Sequence, residues 1–335
     1  MQGLGQPLQK VRIEQCEENG FTASIAPHCF ECRNLIFKKE PFMLPNFLII
    51  GAQKGGTTSL INHLARHPDI FVPYEKEIGF FHDDQEYAKG IDYYKTYFSG
   101  WNGEKCVGHA PVNTSFCAEK AAPRLFSFNP DIRLIMILRN PIDRAYSHYY
   151  YCRRNCLEDM DTFEAVIQRE LDMIARGDHE YRSCHFYISH GFYYAQLRAY
   201  FEYFDRNQLL ILYYEDFKHS PESTLLSIHS FLKVEAIKIE ELDKKHNPAS
   251  APKYKFIQKV VFKDNLLKSI YKRIIPDSIQ ISARRYIIDP LMKKNLKRIK
   301  YEPIQPETRE LLRQIFKQPN EELARLLKRD FSDWQ

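Results

Sequence analysis

The amino-acid sequence predicts an α/β fold: a P-loop-like three-layer sandwich with a central parallel sheet flanked by helices. Short, mainly apolar runs at residues 46–50, 131–138 and 208–213 are typical of parallel strands that are buried on both faces. A glycine-rich turn and a segment with helical spacing follow the first run, which is half of a βαβ unit. Strands that alternate with helices along a chain indicate a parallel sheet covered on both sides.

The helices are predicted from the spacing of their apolar residues. The segments with helical spacing are residues 59–66, 144–153, 162–175, 193–204, 221–232 and 307–328. His63 lies in the first segment and His67 directly follows it, four positions on, but the glutamate of a zinc-binding helix is missing, so we expect both histidines at the protein surface. Residues 1–44 show little periodicity and are predicted to form an N-terminal extension, followed by one domain over residues 45–335.

Composition excludes several classes of protein. The chain has 335 residues, of which 44% are hydrophobic and 27% are charged, as in a globular protein and unlike a disordered or collagen-like one. No run approaches the roughly 18 apolar residues of a membrane span. The sequence does not open with the basic and apolar segments of a secretory signal, and its eight cysteines are irregularly spaced. We therefore expect reduced thiols and a cytoplasmic location.

A metal ion is not predicted to be required. Cys29 and Cys32, with Cys16 and His28 nearby, could hold zinc, but the second cysteine pair of a zinc finger is missing. Elsewhere no cluster of histidine and aspartate shows the spacing of metal ligands. The N-terminal cysteine cluster stays an open alternative on which no function is built.

A basic segment lies towards the C-terminus. Residues 253–300 contain 14 Lys and Arg against three Asp, whereas the net charge of the whole chain is only +5. One interpretation is contact with an anionic partner, either as the wall of a glycan cleft or, through the amphipathic residues 256–275, as a surface that lies on a membrane. Packing against the core and a solvated helical face are the structural alternatives. Lys253 is a candidate for an additional phosphate contact.

A glycine-rich loop follows the first predicted strand and opens the first predicted helix. Gly51 and Gly56 bracket four residues, as in a P-loop, but position 57, where a nucleotide hydrolase needs lysine, is Thr57. The lysine of this loop is Lys54 instead. Backbone N–H groups at such a helix start bind phosphate oxygens, whereas a tight turn that merely requires glycine is the alternative. The predicted anion-binding residues are Lys54, Gly55, Gly56, Thr57, Thr58 and Ser59.

A second candidate anion site follows the strand at residues 131–138. Arg139 stands at its carboxyl end, where open α/β sheets bind their ligands, and Ser147 lies about one turn into the next predicted helix. A guanidinium with a hydroxyl group is a good receptor for a phosphate dianion. An arginine that caps the loop through a salt bridge is the alternative.

Four stretches together resemble a known family, the sulfotransferases that use 3′-phosphoadenosine-5′-phosphosulfate (PAPS). They are the loop at residues 50–58, a Lys-Glu-x-x-Phe-Phe segment at 76–81 with a Gly-x-x-Tyr-Tyr segment ending at 94, residues 138–147, and the end of the chain at 316–334. The chain is most similar to the carbohydrate group that contains heparan sulfate sulfotransferases and their bacterial relatives. The resemblance implies PAPS as co-substrate, 3′,5′-ADP as product and no metal.

The resemblance also implies roles for individual residues. Lys54 would stabilise the leaving phosphate, and Arg139 with Ser147 would bind the 3′-phosphate. Glu77, in the Lys-Glu-x-x-Phe-Phe segment, matches the general base that takes a proton from the acceptor. The sequence departs from the pattern at His109, which stands where relatives carry glutamate, so His109 is a second candidate base or a structural histidine.

The predicted activity is in-line sulfuryl transfer from PAPS to a hydroxyl or amine of an acceptor, which we expect to be a carbohydrate or a small metabolite. Nucleic-acid binding is not predicted, because the usual aromatic and basic motifs are absent. Two alternatives remain: a non-catalytic binder of anionic glycans, and a P-loop kinase, which would need lysine at position 57.

Overall fold

A five-stranded parallel sheet forms the centre of the described chain. In the computed structural model the described residues are 44–178, 185–237, 250–262, 275 and 277–334. The order of the strands across the sheet is β2-β3-β1-β4-β5, and each pairing is parallel. A separate antiparallel pair joins β6 to β7. The strands are β1 (Phe47–Gly51), β2 (Ile70–Phe71), β3 (Cys106–His109), β4 (Arg133–Leu138), β5 (Leu209–Tyr213), β6 (Ser250–Pro252) and β7 (Leu296–Arg298).

Helices connect the strands and extend the chain beyond β5. They are α1 (Thr57–Leu64), α2 (Asp84–Tyr87), α3 (Gly90–Thr96), α4 (Ala118–Phe128), α5 (Pro141–Arg154), α6 (Phe163–Arg176), α7 (Tyr193–Phe201), α8 (Tyr214–His219), α9 (Pro221–Leu232), α10 (Lys255–Phe262), α11 (Asp277–Ala283), α12 (Asp289–Lys294) and α13 (Pro306–Leu327). A π-helical turn, Arg284–Ile288, joins α11 to α12.

Helices cover both faces of the sheet, and strand β1 shows why. Leu48 and Ile50 pack into an apolar cluster that contains side chains of α4 and α7. Phe47 and Ile49 point to the opposite face, into a cluster with side chains of α1 and α9. Because successive strand residues point to opposite faces, a strand buried on both must be apolar throughout. The predicted three-layer α/β sandwich is thereby confirmed.

Strands β2 and β3 were not among the predicted strands. β2 has only two residues, and β3 is Cys-Val-Gly-His, which contains too few apolar residues to be recognised as a buried strand. Gly108 in β3 is required by close approach, since a Cβ atom there would lie 2.5 Å from the ring of Phe47. This contact lets β3 pair with β1 in the register that brings Gly108 opposite Phe47.

The expectation that His63 and His67 lie at the surface is wrong. Their exposed fractions are 0% and 3%. His63 presents its ring edge to Phe217, and Nε2 of His67 lies 2.8 Å from the carbonyl oxygen of Glu235. An imidazole ring is largely apolar and packs readily in a core, so the chain buries His63 within α1 and His67 just after the end of that helix.

The basic segment exposes apolar side chains in its described part. Phe256 is 77% exposed, Tyr286 69% and Ile287 66%, so packing against the core does not account for these three residues. Two predictions concern residues that the structure does not describe. The predicted extension over residues 1–44 lies outside the described residues except for its last residue, and the cluster of Cys16, His28, Cys29 and Cys32 lies wholly outside them. Within the described ranges, none of the helices is long and apolar enough to span a bilayer.

Candidate active site

The loop between β1 and α1 has a backbone shape that depends on its glycines. Lys54 has a φ of 66° and Gly56 a φ of 99°, both in the left-handed region. A Cβ atom on Gly55 would lie 2.5 Å from the carbonyl oxygen of Ile137 in β4, so the loop approaches the neighbouring strand closely. Left-handed backbone at a non-glycine residue such as Lys54 is typical of functional sites, where the surrounding structure compensates the strain.

Helix α1 presents its N-terminus to the same edge of the sheet. The helix is preceded by Gly56, and no side chain caps it. The N–H group of Ser59 donates to the carbonyl oxygen of Gly56, so the N–H groups of Thr57 and Thr58 are the ones that can bind an anion, and the helix dipole favours negative charge at this point. Thr57 is buried, whereas Thr58 and Ser59 are half-buried at the start of the helix. These features fit the binding of a phosphate-bearing ligand. The loop differs from that of a kinase because position 57 is threonine and not lysine.

Arg139 joins the loop to the end of β4. Its Nη1 donates a hydrogen bond to the carbonyl oxygen of Lys54 at 3.1 Å, and its guanidinium carbon lies 4.6 Å from the ring centroid of Tyr214. The hydroxyl of Tyr193 donates to the carbonyl oxygen of Arg139 at 2.9 Å. Arg139 is thus held by backbone and aromatic contacts, and it makes no ion pair with the residues that the structure describes. The alternative that Arg139 caps the loop through a salt bridge therefore finds no support among the described contacts.

Helix α5 aligns three polar side chains along one face. Asn140 caps its start by accepting hydrogen bonds from the N–H groups of Ile142 and Asp143. From there Ser147, Tyr151 and Arg154 follow at spacings of four and three residues, so they share a helical face. Nζ of Lys54 lies 4.5 Å from the ring centroid of Tyr151, and the guanidinium carbon of Arg154 lies 5.3 Å from it.

Lys54 lies in a strongly cationic environment. Desolvation is the main reason that the pKa of Lys54 falls to about 8 from the ordinary 10.5, and the charge of Arg154 lowers it further. Glu77 acts in the opposite direction, while Arg139 again lowers the pKa. Three cations without an equal number of carboxylates make a site that favours a polyanionic ligand.

Glu77 is carried by a segment that the core holds in place. Its neighbours Ile78, Phe80 and Phe81 are 2%, 3% and 0% exposed, and the ring of Phe80 stacks on that of Tyr94 at 4.5 Å. The carbonyl oxygen of Lys76 accepts a 2.7 Å hydrogen bond from the N–H group of Ala110, which directly follows β3. The aromatic pair of the Lys-Glu-x-x-Phe-Phe motif is therefore an anchor that fixes the backbone of Glu77.

The carboxylate of Glu77 interacts electrostatically with Lys54. The side chain of Glu77 is exposed, yet the surrounding protein atoms desolvate its carboxylate enough to raise the pKa above the ordinary value. Lys54 opposes this shift by favouring the charged form, and the nearby Arg284 does the same more weakly. Arg284 also donates a 2.9 Å hydrogen bond to Glu75, which connects the π-helical turn to the Glu77 segment.

His109 is not brought together with these residues at the open surface. Its side chain is 0% exposed, and its Nε2 lies 2.6 Å from the hydroxyl oxygen of Tyr94. Burial lowers the pKa of His109 to about 3, so the ring stays neutral. Because the ring of His109 is buried, an acceptor bound beside Glu77 has no access to it. The hydrogen bond with Tyr94 is what a structural histidine requires.

Sequence reasoning missed Tyr151, Arg154 and Tyr193. The first two follow Ser147 at helical spacing, so periodicity alone would have marked them once Ser147 was chosen. Tyr193 gave no signal, because its contact joins residues that are 54 positions apart. Lys253 is exposed, with its backbone N–H bound to the carbonyl oxygen of Asn295. In the part of the chain that the structure describes, no group of three or more His, Cys, Asp or Glu could hold a metal ion.

Comparison with known proteins identifies the family. The sulfotransferase domain model matches residues 44–321, which is most of the chain. The chain belongs to the sulfotransferase family. As for solved structures, this sulfotransferase superposes on one from Alicyclobacillus acidocaldarius with a TM-score of 0.64 and 26% identity, covering 88% of this chain and 99% of that chain. The resemblance drawn from the four motifs is confirmed at the level of the family.

Two curated relatives share part of their length with this sulfotransferase. A membrane-associated sulfotransferase of Dictyostelium discoideum is 36% identical over 152 residues, which cover 42% of this chain and 31% of that protein. A bifunctional heparan sulfate N-deacetylase/N-sulfotransferase of Xenopus laevis is 30% identical over 203 residues, which cover 57% of this chain and 22% of that protein. The match therefore spans less than a third of either relative.

Proposed function

We propose that the protein transfers the sulfuryl group of PAPS to a hydroxyl or amine of an acceptor, a carbohydrate or a small metabolite. One observation carries the proposal: a lysine in a left-handed loop, an uncapped helix N-terminus and an arginine meet at one edge of the sheet, and a carboxylate is close enough to interact with the lysine. The first three bind a nucleotide with several anionic groups, and the carboxylate supplies a base.

The residues divide the co-substrate between two anion sites. The loop with Gly55 and Gly56, together with the start of α1, takes the 5′-phosphosulfate. Arg139 and Ser147 take the 3′-phosphate, for which a guanidinium and a hydroxyl are suited. The contact of Arg139 with the carbonyl oxygen of Lys54 links the two sites, so the ends of the nucleotide are gripped by one connected unit.

The reaction breaks one S–O bond and forms a new S–O bond with a hydroxyl acceptor or an S–N bond with an amine acceptor. The acceptor oxygen or nitrogen attacks sulfur in line, and the bond between sulfur and the bridging oxygen of the 5′-phosphate breaks. Glu77 removes the acceptor proton, and the electron pair of the broken bond stays on the phosphate oxygen of 3′,5′-ADP. Lys54 stabilises the charge that develops on this oxygen. His109 is not assigned a catalytic role, because it is buried and bound to Tyr94.

The acceptor class rests on the relatives and on the surroundings of Glu77. One relative is named for heparan sulfate, which supports a carbohydrate acceptor. Lys54, Lys76 and Arg284 act on the proposed base against one further carboxylate, that of Glu75, and this excess of positive charge favours an acceptor that carries negative charge nearby. A small uncharged metabolite remains the second acceptor class.

The transfer of ³⁵S from [³⁵S]PAPS to a panel of acceptors tests this function. The panel contains desulfated and sulfated glycosaminoglycan oligosaccharides, neutral sugars and simple phenols. We expect labelled product from at least one carbohydrate, formed at least about 100-fold more slowly by Glu77→Gln at equal protein concentration. Labelled product from phenols alone would favour the small-metabolite class. Bound 3′,5′-ADP without transfer to any acceptor or to water would favour a non-catalytic binder.

We also propose a cytoplasmic location. Among the described residues, Cys106, Cys117, Cys152 and Cys156 form no disulfide, which suits a reducing compartment. A tagged full-length chain is expected in the soluble fraction of lysed cells. Recovery in the membrane fraction after a high-salt wash would contradict this location.

A further inference from the structure

Two cations lie over the ring of Tyr151 on helix α5. Nζ of Lys54 is 4.5 Å from the ring centroid, and the guanidinium carbon of Arg154 is 5.3 Å from it. Both distances are within the roughly 6 Å over which the quadrupole of an aromatic ring attracts a cation. The two cations also repel each other, which is seen in the effect of Arg154 on Lys54. The ring therefore offsets a repulsion that would otherwise move the lysine.

The ammonium group of Lys54 has few other fixed contacts. The backbone of Lys54 is held by its left-handed conformation and by Arg139, but its side chain is a flexible four-carbon stem. Across the described ranges, Nζ makes no hydrogen bond or ion pair, although the charge of Glu77 attracts it. The face of Tyr151, 4.5 Å from Nζ, is thus a contact that can hold the group in one place.

We propose that Tyr151 is a positioning residue for Lys54, whose ammonium group its ring holds over α5 in the place where the leaving phosphate oxygen arrives. The contact itself does not depend on the proposed function, whereas its role in the reaction does. The positive charge of Arg154, which contacts the same ring, disfavours the charged form of Lys54 until an anion binds.

The proposal assigns the role to the ring and not to the hydroxyl. The hydroxyl of Tyr151 makes no hydrogen bond with any residue that the structure describes. Desolvation is the main reason that the pKa of Tyr151 rises to about 12, so the hydroxyl stays neutral near pH 7. Phenylalanine at this position should therefore keep the function, and leucine should lose it.

Nuclear magnetic resonance of the full chain with ¹³C-labelled lysine tests the contact directly. Protons above an aromatic face resonate upfield, so the ε-CH₂ signal of Lys54, assigned by its loss in Lys54→Arg, is expected upfield of the other lysines. The upfield position should persist in Tyr151→Phe and disappear in Tyr151→Leu. Tyr150→Leu is the matched control, because Tyr150 lies next along α5 but stacks on Tyr301 at 3.6 Å instead.

A pH titration of the same signal measures how the charge of Arg154 acts on Lys54. Its variants replace Arg154 and leave the ring of Tyr151 in place. The midpoint of the Lys54 signal is expected near pH 8 in the unmodified chain. Arg154→Met removes a neighbouring positive charge, so the midpoint should rise, while Arg154→Lys should leave it closer to the original. This arm stays informative even where Tyr151→Leu fails to fold.

The release of [³⁵S]sulfate from [³⁵S]PAPS, with water as the acceptor, measures the consequence for the reaction. We expect Tyr151→Leu to lower the maximal rate by roughly three- to thirty-fold, with Tyr151→Phe within about two-fold of the original. Binding of 3′,5′-ADP should change less than the rate, because Arg139 holds the 3′-phosphate.

Two results would overturn the proposal. One is an ordinary position for the Lys54 signal in the unmodified chain, and the other is equal turnover and equal Lys54 signals in Tyr151→Phe and Tyr151→Leu. Failure of turnover in every variant, including the unmodified chain, together with an upfield Lys54 signal would count against the proposed function while supporting the contact.

Discussion

At the scale of single residues, the chemistry of the site depends on two side chains whose pKa values move towards each other. Desolvation raises the pKa of Glu77 and, with the charge of Arg154, lowers that of Lys54. A base that still accepts protons and a cation that gives up its proton more readily are the groups that proton transfer and leaving-group stabilisation require. The positions of these groups come from the loop and from the aromatic anchor, and their pKa values come from shared surroundings.

Replacing Glu77 by glutamine tests the base. The amide keeps the shape of the side chain but cannot accept the acceptor proton, so we expect the transfer rate to fall by about 10²- to 10⁴-fold. Affinity for 3′,5′-ADP should stay within a few-fold, measured by titration calorimetry, because Arg139, the residue proposed to bind the 3′-phosphate, is not among the charges that shift the pKa of Glu77. Transfer at the original rate by Glu77→Gln would exclude it as the base.

The charge of Lys54 predicts how nucleotide affinity depends on pH. In the free chain Lys54 is protonated below about pH 8 and neutral above it. Affinity for 3′,5′-ADP should therefore weaken as the pH rises through this value, since the anion loses a cationic partner. Lys54→Arg stays charged throughout and should remove this step from the profile. An identical step in both proteins would assign the titration to another group.

At the scale of elements, two aromatic side chains connect the Glu77 segment to the sheet. Phe80 stacks on Tyr94 of α3, and the hydroxyl of Tyr94 pairs with His109 at the end of β3. Two motifs that looked independent in the sequence, Lys-Glu-x-x-Phe-Phe and Gly-x-x-Tyr-Tyr, are thus parts of one support. His109 belongs to this support, so its place near the Glu77 segment is accounted for by packing and by its hydrogen bond with Tyr94.

Removal of the Tyr94 hydroxyl tests this support. Tyr94→Phe leaves a buried nitrogen of His109 without its partner and should cost about 1–3 kcal/mol in the free energy of unfolding. The Tyr93→Phe change on the same helix is the control, and it should stay within about 0.5 kcal/mol because this hydroxyl is less buried. Urea denaturation measures both. Equal stability of the two variants would contradict the role of Tyr94.

The fold could be predicted further than the site. The apolar runs of β1, β4 and β5 had to be buried on both faces, and this pattern is visible in the sequence. Arg139 and Ser147 could be placed for the same reason, since they follow a recognisable strand. The partners of Lys54 could not, because Tyr151 reaches it across nearly 100 positions of sequence and no local pattern records that contact.

At the scale of the whole molecule, parallel strands collect the candidate site residues at one edge of the sheet. The loop after β1 carries Lys54, the residue after β4 is Arg139, and the hydrogen bond between them closes the gap between neighbouring strands. The segment with Glu77 is tied to the end of β3 on the other side of β1. The site therefore depends on the order of strands in the sheet, and no single motif defines it.

The central claim is that this edge binds a nucleotide through both a 5′-phosphosulfate site and a 3′-phosphate site. Thermal unfolding of the full chain with 3′,5′-ADP, 5′-ADP or ATP with magnesium, at matched concentrations, tests it most directly. A ligand at 100 times its dissociation constant adds about 2.7 kcal/mol, which raises the melting temperature by a few degrees at this size. We predict that 3′,5′-ADP stabilises the chain more than the other two and that Arg139→Met abolishes this preference. Greater stabilisation by ATP with magnesium, or a preference for 3′,5′-ADP that survives Arg139→Met, would contradict the account.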